Sequence, residues 1–154
     1  MRRDDPNGLS DAVIALAGCE DAVYAVEIGE SADEDELIDR RAGDAVERER
    51  PLHLVPGWAK DHFVDVDAAG STIVLALDRR PPLMVSHDAG TTWAERGSGL
   101  PTGKALAIGE NPDHMLYGAR NRLYVSRNGG VFWRALGAEL PEIVDVAWEL
   151  DGDG

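Results

Sequence analysis

Residues 86–93, Ser-His-Asp-Ala-Gly-Thr-Thr-Trp, set a hydroxyl, an imidazole and a carboxylate in consecutive positions. Such a trio could move a proton, or with further ligands hold a metal ion. It could equally form a turn whose polar groups serve only its own backbone. The remaining histidines give the first idea no support. His53, His62 and His114 show no His-x-x-x-His spacing, and His62 and His114 each open a predicted strand. Residues 65–70, Asp-Val-Asp-Ala-Ala-Gly, begin like a calcium loop but lack a ligand at the fifth position and a glutamate at the twelfth. The Asp-Gly-Asp-Gly tail (151–154) reads as an acidic terminus. Beyond the three adjacent residues 86–88, no Ser-His-Asp order, phosphate-binding glycine loop or Cys-x-x-Cys occurs. Glycosidase chemistry needs two facing carboxylates, and among 29 acidic residues sequence cannot choose them. No residue is therefore assigned a catalytic, cofactor-binding or metal-binding role.

Recurrence decides between the two readings of 86–93. Shifting the chain by 40 positions lays residues 83–95 on 123–135, so that Leu83, Val85, Ser86, Gly90 and Trp93 meet Leu123, Val125, Ser126, Gly130 and Trp133. Asp88 meets Asn128, while His87 meets Arg127. The repeat keeps a short side-chain acceptor, a glycine and a tryptophan, and discards the imidazole. That pattern preserves a turn, not a proton relay. A fainter third copy spans 37–48, with Ile38, Ala42, Gly43 and Val46 in the places of Val85, Ala89, Gly90 and Trp93.

The turns must sit on strands. Residues 62–68 alternate apolar and polar, as a half-buried strand does, and 71–77 form a β-branched run suited to burial. Residues 83–87 and 91–96 flank the turn, and the next unit repeats the order with 104–110, 114–119, 122–127 and 131–136. The first unit offers 11–18, 22–28, 36–41 and 45–50, with an acidic loop at 31–36. Four strands per repeat of this length predict an all-β chain of β-propeller blades, each of four antiparallel strands. The expected layout is an N-terminal extension (1–8), a degenerate first blade (9–58), a second (59–101) and a third (102–141). Residues 142–154 would open a further blade or supply a locking strand, followed by the acidic tail.

The motif Ser-x-Asp-x-Gly-x-Thr-Trp closely resembles the Asp-box, or BNR repeat, of sialidases, Asp-box glucanases, sortilin-type receptors and photosystem assembly propellers. Ser86, Asp88, Gly90, Thr92 and Trp93 carry the resemblance, with Ser126, Asn128, Gly130 and Trp133 in a degenerate second copy where Phe132 replaces the threonine. It implies a structural turn between the third and fourth strands, with the tryptophan packed beneath. Sialidase-type catalysis would imply an arginine triad, a tyrosine–glutamate pair and an acid aspartate, none of which carries over. Arg80-Pro81-Pro82 is a loop, and Tyr24, Tyr117 and Tyr124 lie inside predicted strands.

Charge narrows the partners. The chain carries 29 acidic and 15 basic residues, a net charge of −14. Lys60 and Lys104 are its lysines, the other basic residues being arginines. This composition resembles proteins of salt-loving archaea, whose acidic surfaces stay hydrated while salt screens their repulsion. No basic stripe suits nucleic acid. The arginine doublets 2–3, 40–41 and 79–80 lie beside acids and read as solvated surface. No apolar run approaches the ~20 residues of a membrane span, and no secretory signal opens the chain. The single cysteine, Cys19, lies in an apolar run and reads as a buried thiol. The expectation is a cytoplasmic, cofactor-free scaffold binding a protein or glycan, with a sialidase-like hydrolase as the alternative. Three blades leave hydrophobic faces open, so a homodimer or a partner chain would complete the propeller.

Overall fold

The structure, a computed structural model, describes residues 13–41 and 49–149. The expected extension (1–8), most of the strand at 45–50, Ala42, Gly43 and Val46 of the third copy, and the tail at 151–154 lie outside these residues.

Among the described residues twelve strands form three four-stranded antiparallel sheets. The second sheet runs β4 (Phe63–Ala69), β5 (Thr72–Leu77), β6 (Leu83–Ser86) and β7 (Ala94–Arg96), each beside the next. The third repeats that order with β8 (Ala105–Ile108), β9 (Met115–Ala119), β10 (Arg122–Ser126) and β11 (Arg134–Ala135). All six residues of β5 are buried, which is why its β-branched and leucine-rich run shows no alternation. The outermost strands β7 and β11 are very short, a common way of limiting an exposed edge.

The first sheet departs from the expected order. Its members are β1 (Ile14–Cys19), β2 (Val23–Glu27), β3 (Glu36–Arg41) and β12 (Ile143–Trp148), arranged β12-β1-β2-β3. Residues 142–150, read from the sequence as a further blade or a locking strand, thus supply this sheet's first strand, with Ala17 opposite Val146. The physical reason is burial. Ile143 and Val146 enter the same apolar cluster as Ala15, Ala17 and Val26, and the pairing covers the edge of β1. Each sheet thereby has the same composition, an inner strand (β12, β4 or β8) followed outward by three more.

Packing runs from sheet to sheet. One cluster joins the first sheet to the third through Ala17, Val26, Ala107, Leu116, Leu123 and Val146. Another joins the third to the second through Val74, Leu83, Leu106, Met115 and Tyr117. The second sheet's far face, with Val66, Leu75 and Leu77, is covered by Leu54, Val55 and Ala59. These belong to a connecting segment, residues 49–62, that contains the 3-10 helices Leu52–Leu54 and Gly57–His62. Residues 49–58, assigned by sequence to the first blade, pack on the second sheet instead. The three sheets are separate ladders, and they are not closed within the described chain. Among the described residues no helix is long and apolar enough to cross a membrane.

Candidate functional site

The two turns singled out by the repeat fold alike, the first adding a bond from the Thr92 hydroxyl to Asp88 Oδ2 (2.7 Å) where the second has Phe132. In the first, the Gly90 N–H donates to Ser86 Oγ at 2.8 Å, and Ser86 Oγ–H donates to Asp88 Oδ1 at 2.8 Å. The Thr92 N–H also donates to Asp88 Oδ1 (2.8 Å), and the Trp93 indole N–H donates to the Gly90 carbonyl (3.1 Å). In the second, Gly130 donates to Ser126 (2.9 Å), Ser126 to Asn128 (3.0 Å), Phe132 to Asn128 (2.9 Å) and Trp133 to Gly130 (2.8 Å). Gly90 and Gly130 have φ of 93° and 91°, a region open to glycine but costly for other residues. Ala89 accepts φ 59° one position earlier, where the second turn has Gly129. The Thr92 N–H and hydroxyl, then the Ser86 hydroxyl, hold the Asp88 carboxyl down at about 2. His87 turns away from Asp88, its Nδ1 lying 3.2 Å from Thr72 Oγ1. The adjacent pair that suggested chemistry therefore serves two different neighbours.

At the opposite end of the sheets lies an open cavity of about 970 Å³. The three inner strands all begin there, and the connections entering them, together with the links from β5 to β6 and from β9 to β10, form its walls. Asp61, His62, Asp78, Lys104, Arg120 and Glu142 line it, all exposed. The walls are fixed by backbone hydrogen bonds. Lys104 N–H donates to the Gly118 carbonyl (2.9 Å), Asp78 N–H to that of His62 (2.7 Å) and Ile143 N–H to that of Arg120 (2.6 Å). Gly103 allows the closest approach, for a Cβ there would stand 2.5 Å from the Tyr117 ring. Arg120 itself has φ 55°, a conformation that bulky residues hold only when their surroundings impose it. The arrangement can meet a polar or charged ligand with either sign of charge on a pre-shaped frame.

The other candidates are dispersed. Tyr117 is fully buried and donates its hydroxyl proton to the Pro101 carbonyl (2.7 Å), while Tyr24 donates to Asp21 (2.8 Å). Among the described residues the cavity carries Arg120 as its arginine and no tyrosine, so no arginine triad and no tyrosine–glutamate pair meet there. Cys19 is buried, its thiol 3.4 Å from the Pro141 carbonyl, and burial, with the Asp21 charge second, pushes it up to about 11. Groups of three or more metal-binding side chains are absent among the described residues. Of the doublets, Arg40 is exposed beside Asp21, but Arg79 is half-buried and contacts Met84 Sδ at 3.1 Å.

Sequence reasoning missed the buried carboxylates. Asp65 and Asp145 both flank Arg50, whose Nε lies 2.6 Å from Asp65 Oδ1 and whose Nη2 lies 2.7 Å from Asp145 Oδ1. The visible trace was the recurrence of Val-Asp-Val at 64–66 and 144–146. Asp35, with a wholly buried side chain, binds Arg134 and accepts the N–H groups of Gly29 and Gly137 (2.9 and 2.8 Å). Nothing in the acidic run 30–36 marked it out.

No protein-family model matches this chain, and no curated protein does. Among solved structures it is similar to the GH74 enzyme of Niastella koreensis, at 19% identity and a TM-score of 0.41, over 84% of this chain and 18% of that enzyme. The chain thus spans less than a fifth of the enzyme's length.

Proposed function

We propose that this chain is a non-catalytic Asp-box propeller scaffold that binds a protein or glycan ligand at the cavity where its inner strands begin. One observation carries the reading, the division of labour among the acidic groups. The carboxylates that burial or hydrogen bonding sets apart, Asp35, Asp65, Asp88 and Asp145, are engaged in fastening loops and strands. Those facing the cavity are exposed on hydrogen-bonded walls, a frame for recognition. The matched bonds of the two turns support the Asp-box assignment. The unclosed array supports completion by a second copy or a partner chain, and the acidic composition supports a high-salt, cytoplasmic setting.

The test is an amide-resolved NMR titration in molar salt with a panel of acidic, basic and sialylated oligosaccharides and of peptides. Each addition is assayed in parallel for sugar release. Shifts confined to 61–64, 102–104 and 120–121, without turnover, are expected. Sugar release that disappears in Glu142→Gln would establish the hydrolase instead.

A further inference from the structure

The two turns of the repeat share a backbone but not their outward groups. In the first, the polar side chains serve the molecule itself. His87 Nδ1 lies 3.2 Å from Thr72 Oγ1, and the Thr92 hydroxyl donates to Asp88 Oδ2 at 2.7 Å. The second turn has Arg127 for His87, Asn128 for Asp88 and Phe132 for Thr92. Arg127 is exposed and makes no hydrogen bond or ion pair among the described residues. Asn128 Oδ1 accepts from the Ser126 hydroxyl and the Phe132 N–H, but its amide nitrogen, in the place of Asp88 Oδ2, has no hydroxyl to meet. Phe132 is 74% exposed, beside Val131 at 55%. Each exchange removes an internal bond and turns a recognition group outward.

The gap beside each turn differs in the same way. Between the second and third sheets the His87 ring fills it, for a Cβ on Gly129 would stand 3.6 Å from His87 Cε1 and 3.5 Å from Asp113 Oδ1. Between the third and first sheets, with Arg127 in place of His87, a cleft of about 290 Å³ stays open. Arg127, Asn128, Phe132 and Trp133 line one side, and Gly29 and Glu30 of the link from β2 to β3 line the other. Arg134 also lines it, its guanidinium already committed to Asp35. The cleft lies at the end of the sheets opposite the larger cavity and is independent of it.

We propose that this cleft binds an acidic peptide segment, a carboxylate side chain flanked by a bulky apolar one. The Arg127 guanidinium is a planar fork that matches a carboxylate, and the Asn128 amide adds a neutral donor beside it. Phe132 and Val131 present an apolar face to the neighbouring side chain. Glu30 sets the orientation, because its own charge keeps the peptide's acid on the Arg127 side. A sugar needs acceptors as well as donors for its hydroxyls, and Asn128 Oδ1 is already taken twice. The volume, near the lower end for ligand pockets, suits a short extended segment.

The test is an amide-resolved NMR titration at about 1 M KCl, where a Debye length of about 3 Å screens the repulsion of the acidic surface but spares direct contacts. The probes are the capped tripeptide Leu-Glu-Leu, its neutral isostere Leu-Gln-Leu, and a neutral and a sialylated oligosaccharide. Shifts at 29–30 and 127–133 are expected with the glutamate peptide, which should bind at least about fivefold more tightly than the glutamine peptide. Arg127→Gln should bind the two peptides equally. Arg127→His combined with Asn128→Asp and Phe132→Thr gives the second turn the first turn's residues on the same backbone, and should abolish the shifts. Silence at 127–133 with about 10 mM glutamate peptide overturns the proposal. So does equal binding of the two peptides by the parent, or undiminished binding by the triple variant. Shifts there with an oligosaccharide and none with the glutamate peptide overturn it in favour of a sugar site. If the triple variant loses the dispersed amide spectrum of the parent, Arg127→Gln decides alone.

Discussion

Arg134 grips Asp35 across 99 positions of sequence with two nitrogens, Nη1 to Oδ2 at 2.7 Å and Nη2 to Oδ1 at 3.1 Å. The pair ties the loop between β2 and β3 to β11 of another sheet. Burial, the largest influence, pushes the Asp35 carboxyl up. The Arg134 bonds and the Gly29 and Gly137 N–H groups outweigh it and hold the carboxyl below its ordinary value. Removing the cation would strand a fully buried charge. Arg134→Gln is therefore expected to lower stability by about 3 kcal/mol, read from urea unfolding. Arg134→Lys should recover only part of that, because an ammonium cannot reproduce the fork. A loss below half a kilocalorie in the glutamine variant would contradict the assignment.

Trp93 and Asp88 share a turn but differ in what they hold. Trp93 packs against the cluster under the second sheet and is half-buried. Asp88 is exposed, and Asn128 already does its work in the sister turn. Thermal melts should show Trp93→Ala losing about 2–3 kcal/mol, with Asp88→Asn nearly unchanged at neutral pH. Equal losses would reverse the ranking.

Acid should separate the parent from Asp88→Asn. The Asp88 carboxyl is depressed to about 2, below the ~3.9 of an unfolded aspartate. Its contribution is therefore fully present above about pH 4 and fades as the pH falls through about 2. Denaturant midpoints of the two proteins should keep a constant separation down to about pH 4, then change that separation between about pH 4 and 2. A constant separation throughout that interval would mean that the turn does not hold the ionised form.

Cys19 should be inert in the folded chain. With its thiol raised to about 11 and its side chain buried, little thiolate exists at pH 8 and little reagent reaches it. Reaction with a disulfide reagent should become rapid only in denaturant. Rapid labelling of the native protein would show that β1 and β12 open locally.

The strands and turns were legible because each is written locally. Alternation at 62–68 and the glycine at 90 act on neighbours within a few residues, and the second and third sheets follow from them. The first sheet was not legible in the same way. Residues 143–148 read as a strand, but their partner at the other end of the chain is chosen by shared burial, which no local pattern states. The site divides likewise. Ser86, Asp88 and Trp93 announce their turn, whereas Asp78, Lys104, Arg120 and Glu142 are ordinary surface residues until the topology gathers them. Asp65 and Asp145 looked like two acids among many, because a buried carboxylate is recognised by its partner and Arg50 lies in an irregular segment.

The ladder between β1 and β12 also sets an order of events. Ala15 pairs with Trp148, so this contact closes the long stretch between them into a loop, while the other ladders among the described residues join near neighbours. Such distant pairings form late, since the entropy of closing the loop must be met first. During synthesis β1 and β2 emerge before β12, and their sheet is finished only when residues 143–148 arrive. Until then the apolar edge of Ile14–Cys19 stands bare, and it is the place where a newborn chain is most open to pairing with the wrong strand.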